Sequence, residues 1–219
     1  MKGIILCGGK STRLPLKLFL SDKTGWNIVL AAGRTLIRGG LRESELIFCL
    51  NEEADFLRGM IKYCFRDAKL LFDRHAGLRI INSLNEDRVV LCGDNVYGET
   101  TEKAIKSFSW VHSAASVNRL VEPTEHLDFW TGRKWSRRSL PWFEQHAALT
   151  TPWFLKGDIK IGDNVIDTLN FYSMKPVFID DPDWHDLGTS DSVRAYYENH
   201  ETGIAGSHST TGTILRVRA

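Results

Sequence analysis

The stretch Gly3-Ile4-Ile5-Leu6-Cys7-Gly8-Gly9-Lys10-Ser11-Thr12-Arg13 changes character at its middle. Gly3 to Cys7 is a short apolar run, which predicts a buried strand, and the glycine pair after it predicts a tight loop. Glycines directly after a buried strand let the backbone approach a phosphate and aim amide N–H groups at it, while Lys, Ser, Thr and Arg add donors and positive charge. The spacing fits neither the G-x-x-x-x-G-K-[ST] phosphate loop nor the G-x-G-x-x-G dinucleotide fingerprint. Taken alone, a polar turn closing a strand accounts for these residues as well as a nucleotide-binding loop does.

Working outward, Trp26 to Ile37 has apolar residues at helical spacing, and Glu45 to Leu50 reads as a second strand. Asn51 is placed as an N-cap, with Glu52 and Glu53 in the first turn and Phe56, Leu57, Met60 and Ile61 lining one helix face. Lys69 to Phe72 predicts a third strand, Gly77 to Leu84 a helix, and Arg88 to Cys92 a fourth strand that ends in Gly93-Asp94. Strands that are continuous apolar runs, alternating with helices, imply a parallel sheet covered on both faces with right-handed crossovers. The expected fold is therefore α/β: one Rossmann-like three-layer domain over residues 1–219, with a mainly parallel central sheet and a small antiparallel insertion. Ligands in such sheets bind beyond the carboxyl ends of the strands, which directs attention to the loops after Cys7 and Cys92.

After Ser107 the pattern loosens. Ala114 to Val121 and His126 to Trp130 read as strands of a more antiparallel region, with a turn at Thr131-Gly132. A helix over Asn164 to Tyr172, a strand over Pro176 to Ile179 and a helix over Ser190 to Tyr197 restore the α/β theme. A loop rich in Gly, Ser and Thr then precedes a last strand at Thr213 to Val217.

Composition excludes more than it suggests. A chain of 219 residues can bury a substantial core, and a formal net charge of +1 supplies no field to draw in nucleic acid or an anionic membrane. Cys7, Cys49, Cys64 and Cys92 form no C-x-x-C pair, and three of them end or interrupt apolar runs, the pattern of buried reduced thiols. The opening MKGIILCGG breaks into glycine too early for a signal-peptide core or a membrane span, so a cytoplasmic protein is expected. The histidines show no H-x-x-x-H pair, and His185 reads as a loop residue or a supporting neighbour of Asp186 rather than as a metal ligand.

Met1 to Leu20, MKGIILCGGKSTRLPLKLFL, resembles the N-terminal signature of the nucleotidyltransferase family that includes the sugar-1-phosphate nucleotidylyltransferases: a strand, a Gly-Gly-led loop ending in Arg, then a Lys before leucines. Two further segments follow in the family's order. Arg74-His75-Ala76-Gly77-Leu78 ahead of the strand ending in Gly93-Asp94 is similar to a small-residue helix start beside the nucleobase and a metal-holding Asp. Trp184-His185-Asp186-Leu187-Gly188-Thr189 is similar to the W-x-D-x-G-T segment that supplies the second metal ligand. The resemblance runs through most of residues 1–110 and again through 176–199.

It implies NTP contacts from Leu6, Gly8, Gly9, Lys10, Ser11, Thr12, Arg13, Gly77 and Asp94. It also implies charge stabilisation by Arg13 with assistance from Lys17, and Mg²⁺ held by Asp94 and Asp186. Lys23 is the alternative signature lysine, because Lys17 stands close to Arg13. Residues of about 1–110 would hold the NTP and about 111–200 the acceptor. Within the latter, Gly132 to Arg138 is the densest basic cluster, interleaved with tryptophans. It reads either as a solvated hairpin or as an acceptor grip, with Lys134 the residue chosen by likeness to the family.

The chemistry agrees with these roles. Displacement at a phosphate needs charge neutralised on the non-bridging oxygens and the leaving pyrophosphate, and Mg²⁺ does this through one or two carboxylates plus substrate oxygens. The expected reaction joins an NTP to a sugar 1-phosphate and releases pyrophosphate, and assembly into a homo-oligomer is compatible with the family. Three alternatives stand beside it: a non-sugar acceptor such as phosphocholine or molybdopterin, a non-catalytic nucleotide-binding module, and a metal-dependent glycosyltransferase. The last would show Asp-x-Asp where this chain has Gly93-Asp94-Asn95.

Overall fold

The computed structural model describes residues 1–7, 17–51, 54–73, 76–108, 114–119, 126–127, 134–135, 147–157, 175–178 and 181–204. Its first half follows the alternation of strands and helices. Strands β1 (Lys2–Cys7), β2 (Leu46–Leu50), β3 (Lys69–Phe72) and β4 (Arg88–Cys92) run parallel, with β1 between β2 and β4 and with β3 outside β2. Helices α1 (Ile28–Arg38), α2 (Leu57–Cys64) and α3 (Ala76–Ser83) make the crossovers. Gly93-Asp94 turns β4 into the two-residue β5 (Asn95–Val96), and α4 (Glu99–Lys106) follows.

Beyond α4 the chain adds to the same sheet. Strand β6 (Ala114–Arg119) leads to the short antiparallel pair β7 (His126–Leu127) and β8 (Lys134–Trp135), then to β9 (Ala147–Leu155) and β10 (Lys175–Phe178). Strand β9 lies antiparallel between β4 and β6, and β10 is parallel to β6, giving the seven-stranded order β10-β6-β9-β4-β1-β2-β3. The central sheet is thus mainly parallel, with β9 reversed. A second small antiparallel pair joins β5 to β11 (His185–Asp186), and α5 (Ser190–Ile204) follows it.

Alternation along the central strands divides the core. Ile5, Cys7, Phe48, Leu50, Val89, Leu91 and Phe154 face a cluster that includes residues of α1, α2 and α4, whereas Ile4, Leu6, Ile47, Cys49, Val90 and Trp153 face Ile81 of α3. Burial on both faces is why these strands are unbroken apolar runs. Cys7, Cys49 and Cys92 are buried and Cys64 is half-buried, all as free thiols. Among the described residues, no helix is long and apolar enough to cross a membrane.

Several local expectations are corrected. Asn51 does not cap α2, which starts at Leu57 with Phe56 in the cap position; Asn51 is buried at the end of β2 and its carbonyl accepts from Ala54 N at 3.1 Å. Of the predicted apolar face only Leu57 and Ile61 are buried. Phe56 and Met60 are exposed, and Phe56 stacks on Phe19 at 4.0 Å between ring centroids, because so short a helix turns only a narrow stripe toward the sheet.

Strand β9 contains Pro152, which argues against a central strand; the sheet tolerates it at an irregularity. Trp153 pairs with Ala115 and the next rung is Thr150 with Ser116, so Thr151 and Pro152 stand outside the β6–β9 ladder. Helix α5 continues past Tyr197 to Ile204, through residues without apolar periodicity. The helix expected over 164–172, the strand over 213–217, and the parts of the predicted strands at residues 120–121 and 128–130 lie outside the described residues.

Candidate functional site

The site forms where β1 and β4 end side by side. Leu6 pairs with Cys92, and Gly93 N donates to Leu6 O at 2.9 Å. A β carbon at Gly93 would overlap Cys7 Sγ and lie 3.2 Å from Leu6 O, so the turn that delivers Asp94 requires glycine here. Beneath it, Cys92 N donates to two side chains: Thr151 Oγ1 at 3.1 Å and the Tyr97 hydroxyl oxygen at 2.9 Å. Tyr97 and Thr151 hydroxyls are 2.6 Å apart, and burial raises the Tyr97 phenol well above its ordinary pKa, keeping it neutral. The displacement of Thr151 from the ladder is what frees it for this contact.

Asp186 is brought to Asp94 by the β5–β11 ribbon. Asp186 pairs with Asn95, His185 pairs with Val96, and Leu187 N donates to the Asp94 carbonyl at 3.0 Å. The Asp186 carboxylate accepts from Gly188 N at 2.9 Å, and a β carbon at Gly188 would lie 3.0 Å from Asp186 Oδ1. Leu187 is fully buried, and the His185 ring meets Tyr196 edge-on at 4.9 Å. Burial, followed by the charges of Asp94 and then Asp186, pushes the Cys92 thiol up, so both carboxylates act on the end of β4.

Lys17 completes the centre. It starts a 3-10 turn (Lys17–Phe19), and its Nζ lies 2.5 Å from Asp94 Oδ2, with the two side chains 15% and 14% exposed. Asn27 holds the turn: Nδ2 donates to Leu18 O at 2.6 Å, while Oδ1 caps α1 by accepting from Val29 N at 3.0 Å. Lys23 is elsewhere, its Nζ 2.7 Å from Asp183 Oδ1 with both side chains nearly half exposed. Of the two lysines, Lys17 stands at the aspartate.

Gly77 is buried at the start of α3, beyond the end of β3, whose following residue Asp73 donates its N–H to Leu50 O and pairs with Arg79. Leu6 sits in β1 with its carbonyl occupied by Gly93. Gly8, Gly9, Lys10, Ser11, Thr12 and Arg13 lie outside the described residues. Lys134 is in β8, paired with Leu127, and its side chain lies outside the description.

Among the described residues, no three His, Cys, Asp or Glu converge as a complete metal site. Asp94 and Asp186 offer two hard oxygen donors, a set that suits a cation completing its shell with substrate phosphates and water.

Three supports were not legible in the sequence: Tyr97 and Thr151 under Cys92, and Asp181. Asp181 is buried, and its Oδ2 accepts from Gly98 N at 2.8 Å and from Thr101 Oγ1 at 2.5 Å at the start of α4. The nearest signal was Gly98 at a helix start without a capping side chain of its own.

The fold is that of known nucleotidyltransferases. Over 91% of its length the chain is similar to a protein described as a glucose-1-phosphate thymidylyltransferase from Bacillus anthracis, with a TM-score of 0.67, 14% identity and 94% of that chain covered. It is similar to the same extent to the CTP:phosphocholine cytidylyltransferase from Streptococcus pneumoniae, with a TM-score of 0.68, 11% identity, 91% of this chain and 98% of that one covered. No protein-family model and no curated protein sequence matches the chain.

Proposed function

We propose that the protein is a nucleotidyltransferase that joins an NTP to a sugar 1-phosphate, giving an NDP-sugar and pyrophosphate. The observation that carries the reading is the pairing of Lys17 with Asp94, together with the ribbon that sets Asp186 opposite Asn95, beyond the carboxyl ends of β1 and β4. A phosphate oxygen of the acceptor attacks the α-phosphorus in line, the bond to the β-phosphate oxygen breaks, and pyrophosphate leaves. No protein nucleophile is needed, so catalysis consists of positioning and charge neutralisation.

In this reading Gly8, Gly9, Lys10, Ser11 and Thr12 cradle the phosphates, and Arg13 neutralises charge developing on the α-phosphoryl oxygens. Leu6 and the Gly77 end of α3 border the nucleobase. The Lys17 ammonium balances Asp94 before substrate arrives and lies close enough to the same site to meet a phosphate oxygen. Lys134 grips the acceptor phosphate, within the part of the chain, about 111–200, assigned to the acceptor. Asp94 and Asp186 would hold Mg²⁺, which when bound supplies a Lewis acid for the phosphate oxygens.

The likeness to the phosphocholine enzyme is as good as that to the sugar enzyme, so phosphocholine is the second acceptor to test. Pyrophosphate release is to be measured with Mg²⁺, each common NTP and dTTP, against sugar 1-phosphates, phosphocholine and a no-acceptor blank. Acceptor-dependent release that disappears in Asp94→Asn supports the transferase and identifies the acceptor class. Release at the level of the blank, with NTP still bound, replaces it with a non-catalytic nucleotide-binding module.

A further inference from the structure

We infer that Asp181 is a positioning residue for the site: it fixes the register of β11 on β5 and thereby where Asp186 stands relative to Asp94. The inference rests on the reading of Asp94 and Asp186 as the pair that serves the cation and nucleotide. The ribbon that joins them has two residues on each side, Asp186 opposite Asn95 and His185 opposite Val96. So short a ladder specifies its own register weakly, and a slip of one residue turns every side chain to the opposite face. The register must come from anchors at the ribbon's two ends.

One anchor is Leu187, fully buried, with its N–H on the Asp94 carbonyl at 3.0 Å. The other is Asp181, at the far end. Asp181 Oδ2 accepts from Gly98 N at 2.8 Å, Thr101 N at 3.3 Å and Thr101 Oγ1 at 2.5 Å, while Oδ1 accepts from Asp183 N at 3.2 Å. Its carbonyl takes Trp184 N at 3.1 Å, which closes the turn into β11. Asp181 is 8% exposed, and the donors to its Oδ2 stand at the N-terminal end of α4.

The contact is also sterically tight. A β carbon at Gly98 would overlap Asp181 Oδ1 and lie 2.6 Å from Asp183 Cβ, so segment 181–183 is pressed against the start of α4 and cannot slide along it. Asp181 therefore clamps the strand that carries Asp186 to the strand that follows Asp94. A carboxylate that only capped α4 would make the same hydrogen bonds, and the two roles differ in what happens to the site when the bonds are lost.

The test uses Asp181→Asn, Thr101→Val and Thr101→Ser in the full chain, with each variant's folded fraction measured by denaturant titration. Amide hydrogen exchange is followed by peptide over residues 94–98 and 184–188, and Mn²⁺ affinity is titrated by its spin resonance with each NTP present. Expected are faster exchange confined to those two segments in Asp181→Asn and Thr101→Val, and Mn²⁺ affinity per folded molecule weakened by about tenfold or more, the range for residues that orient metal ligands. Thr101→Ser, which keeps the hydroxyl, should restore both.

Exchange and affinity within about twofold of wild type, whatever the loss of global stability, overturn the inference. Should Asp181→Asn fail to fold, Thr101→Val gives the same comparison. A wild-type protein that binds neither Mn²⁺ nor any NTP overturns the proposed function instead, and the exchange arm then decides the positioning role by itself.

Discussion

At the scale of residues, the environment of each side chain separates groups that look alike in the sequence. Four cysteines are present, and burial raises the thiols of Cys7, Cys49 and Cys92, Cys49 to about 12. A thiolate is the reacting species, so in the native protein Cys64, half-buried, should react with a disulfide reagent well before the other three, and denaturant should release those three together. Native titration of all four at one rate would contradict this.

Lys17 was the first candidate in the sequence and Lys23 its alternative, and the fold separates them by a pairing to Asp94 on one side and to exposed Asp183 on the other. Lys17→Met should lower turnover by about a hundredfold, the scale of losing one charged group at a transferring phosphoryl, while Lys23→Met should change it less than about threefold. Comparable losses in both would return the assignment to an open question. Asp94 and Asp186 were picked out as candidates because both fall in segments that resemble the family's metal-holding motifs. The partner of each was not, because 77 residues separate Lys17 from Asp94.

Among elements, the hydrophobic period located the core strands closely: β4 is Arg88–Cys92 as read, and β3 is Lys69–Phe72. Helix starts were read less well, since Asn51 has the residue type of a cap and the geometry of a strand end. Asn27, by contrast, caps α1 and also ties down the Lys17–Phe19 turn. Asn27→Ala should destabilise the protein by about 1–2 kcal/mol for the cap, measured by urea unfolding, and should also weaken activity because the turn that holds Lys17 loses its tether.

Gly59 in α2 gives the opposite case: a β carbon there meets nothing within 4 Å. Gly59→Ala should therefore stabilise by about 0.5–1 kcal/mol through the helix backbone alone. A destabilised variant would mean that this helix face is covered in solution.

On the scale of the whole molecule, α5 joins the last described part of the chain to Ser21 and Lys23, which follow the Lys17–Phe19 turn. The Tyr196 hydroxyl accepts from Lys23 N at 2.8 Å, and the Tyr197 hydroxyl donates to Ser21 O at 2.6 Å. Burial pushes Tyr196 up to about 12 and raises Tyr197 as well. A raised folded pKa means the native state keeps a proton that the unfolded chain releases near pH ~10. The stabilising contribution is complete below that pH and is lost as pH rises from there toward 12. Unfolding midpoints should fall over this alkaline window in wild type and fall less in a Tyr196→Phe, Tyr197→Phe double variant; equal slopes in the two proteins would exclude the linkage.

The layered α/β architecture and the strands of the parallel half were legible in the order of the amino acids, and the family resemblance pointed to Asp94 and Asp186 as candidates. The strands depend on local hydrophobic period, which any window of the chain carries. Only the folded chain shows that Lys17 meets Asp94, that β9 threads reversed between β4 and β6 despite Pro152, and that Asp181 braces the ribbon bearing Asp186. Each of these is a pairing of groups far apart along the chain, and its energy comes from burial and hydrogen bonds that exist only once the sheet has closed around them.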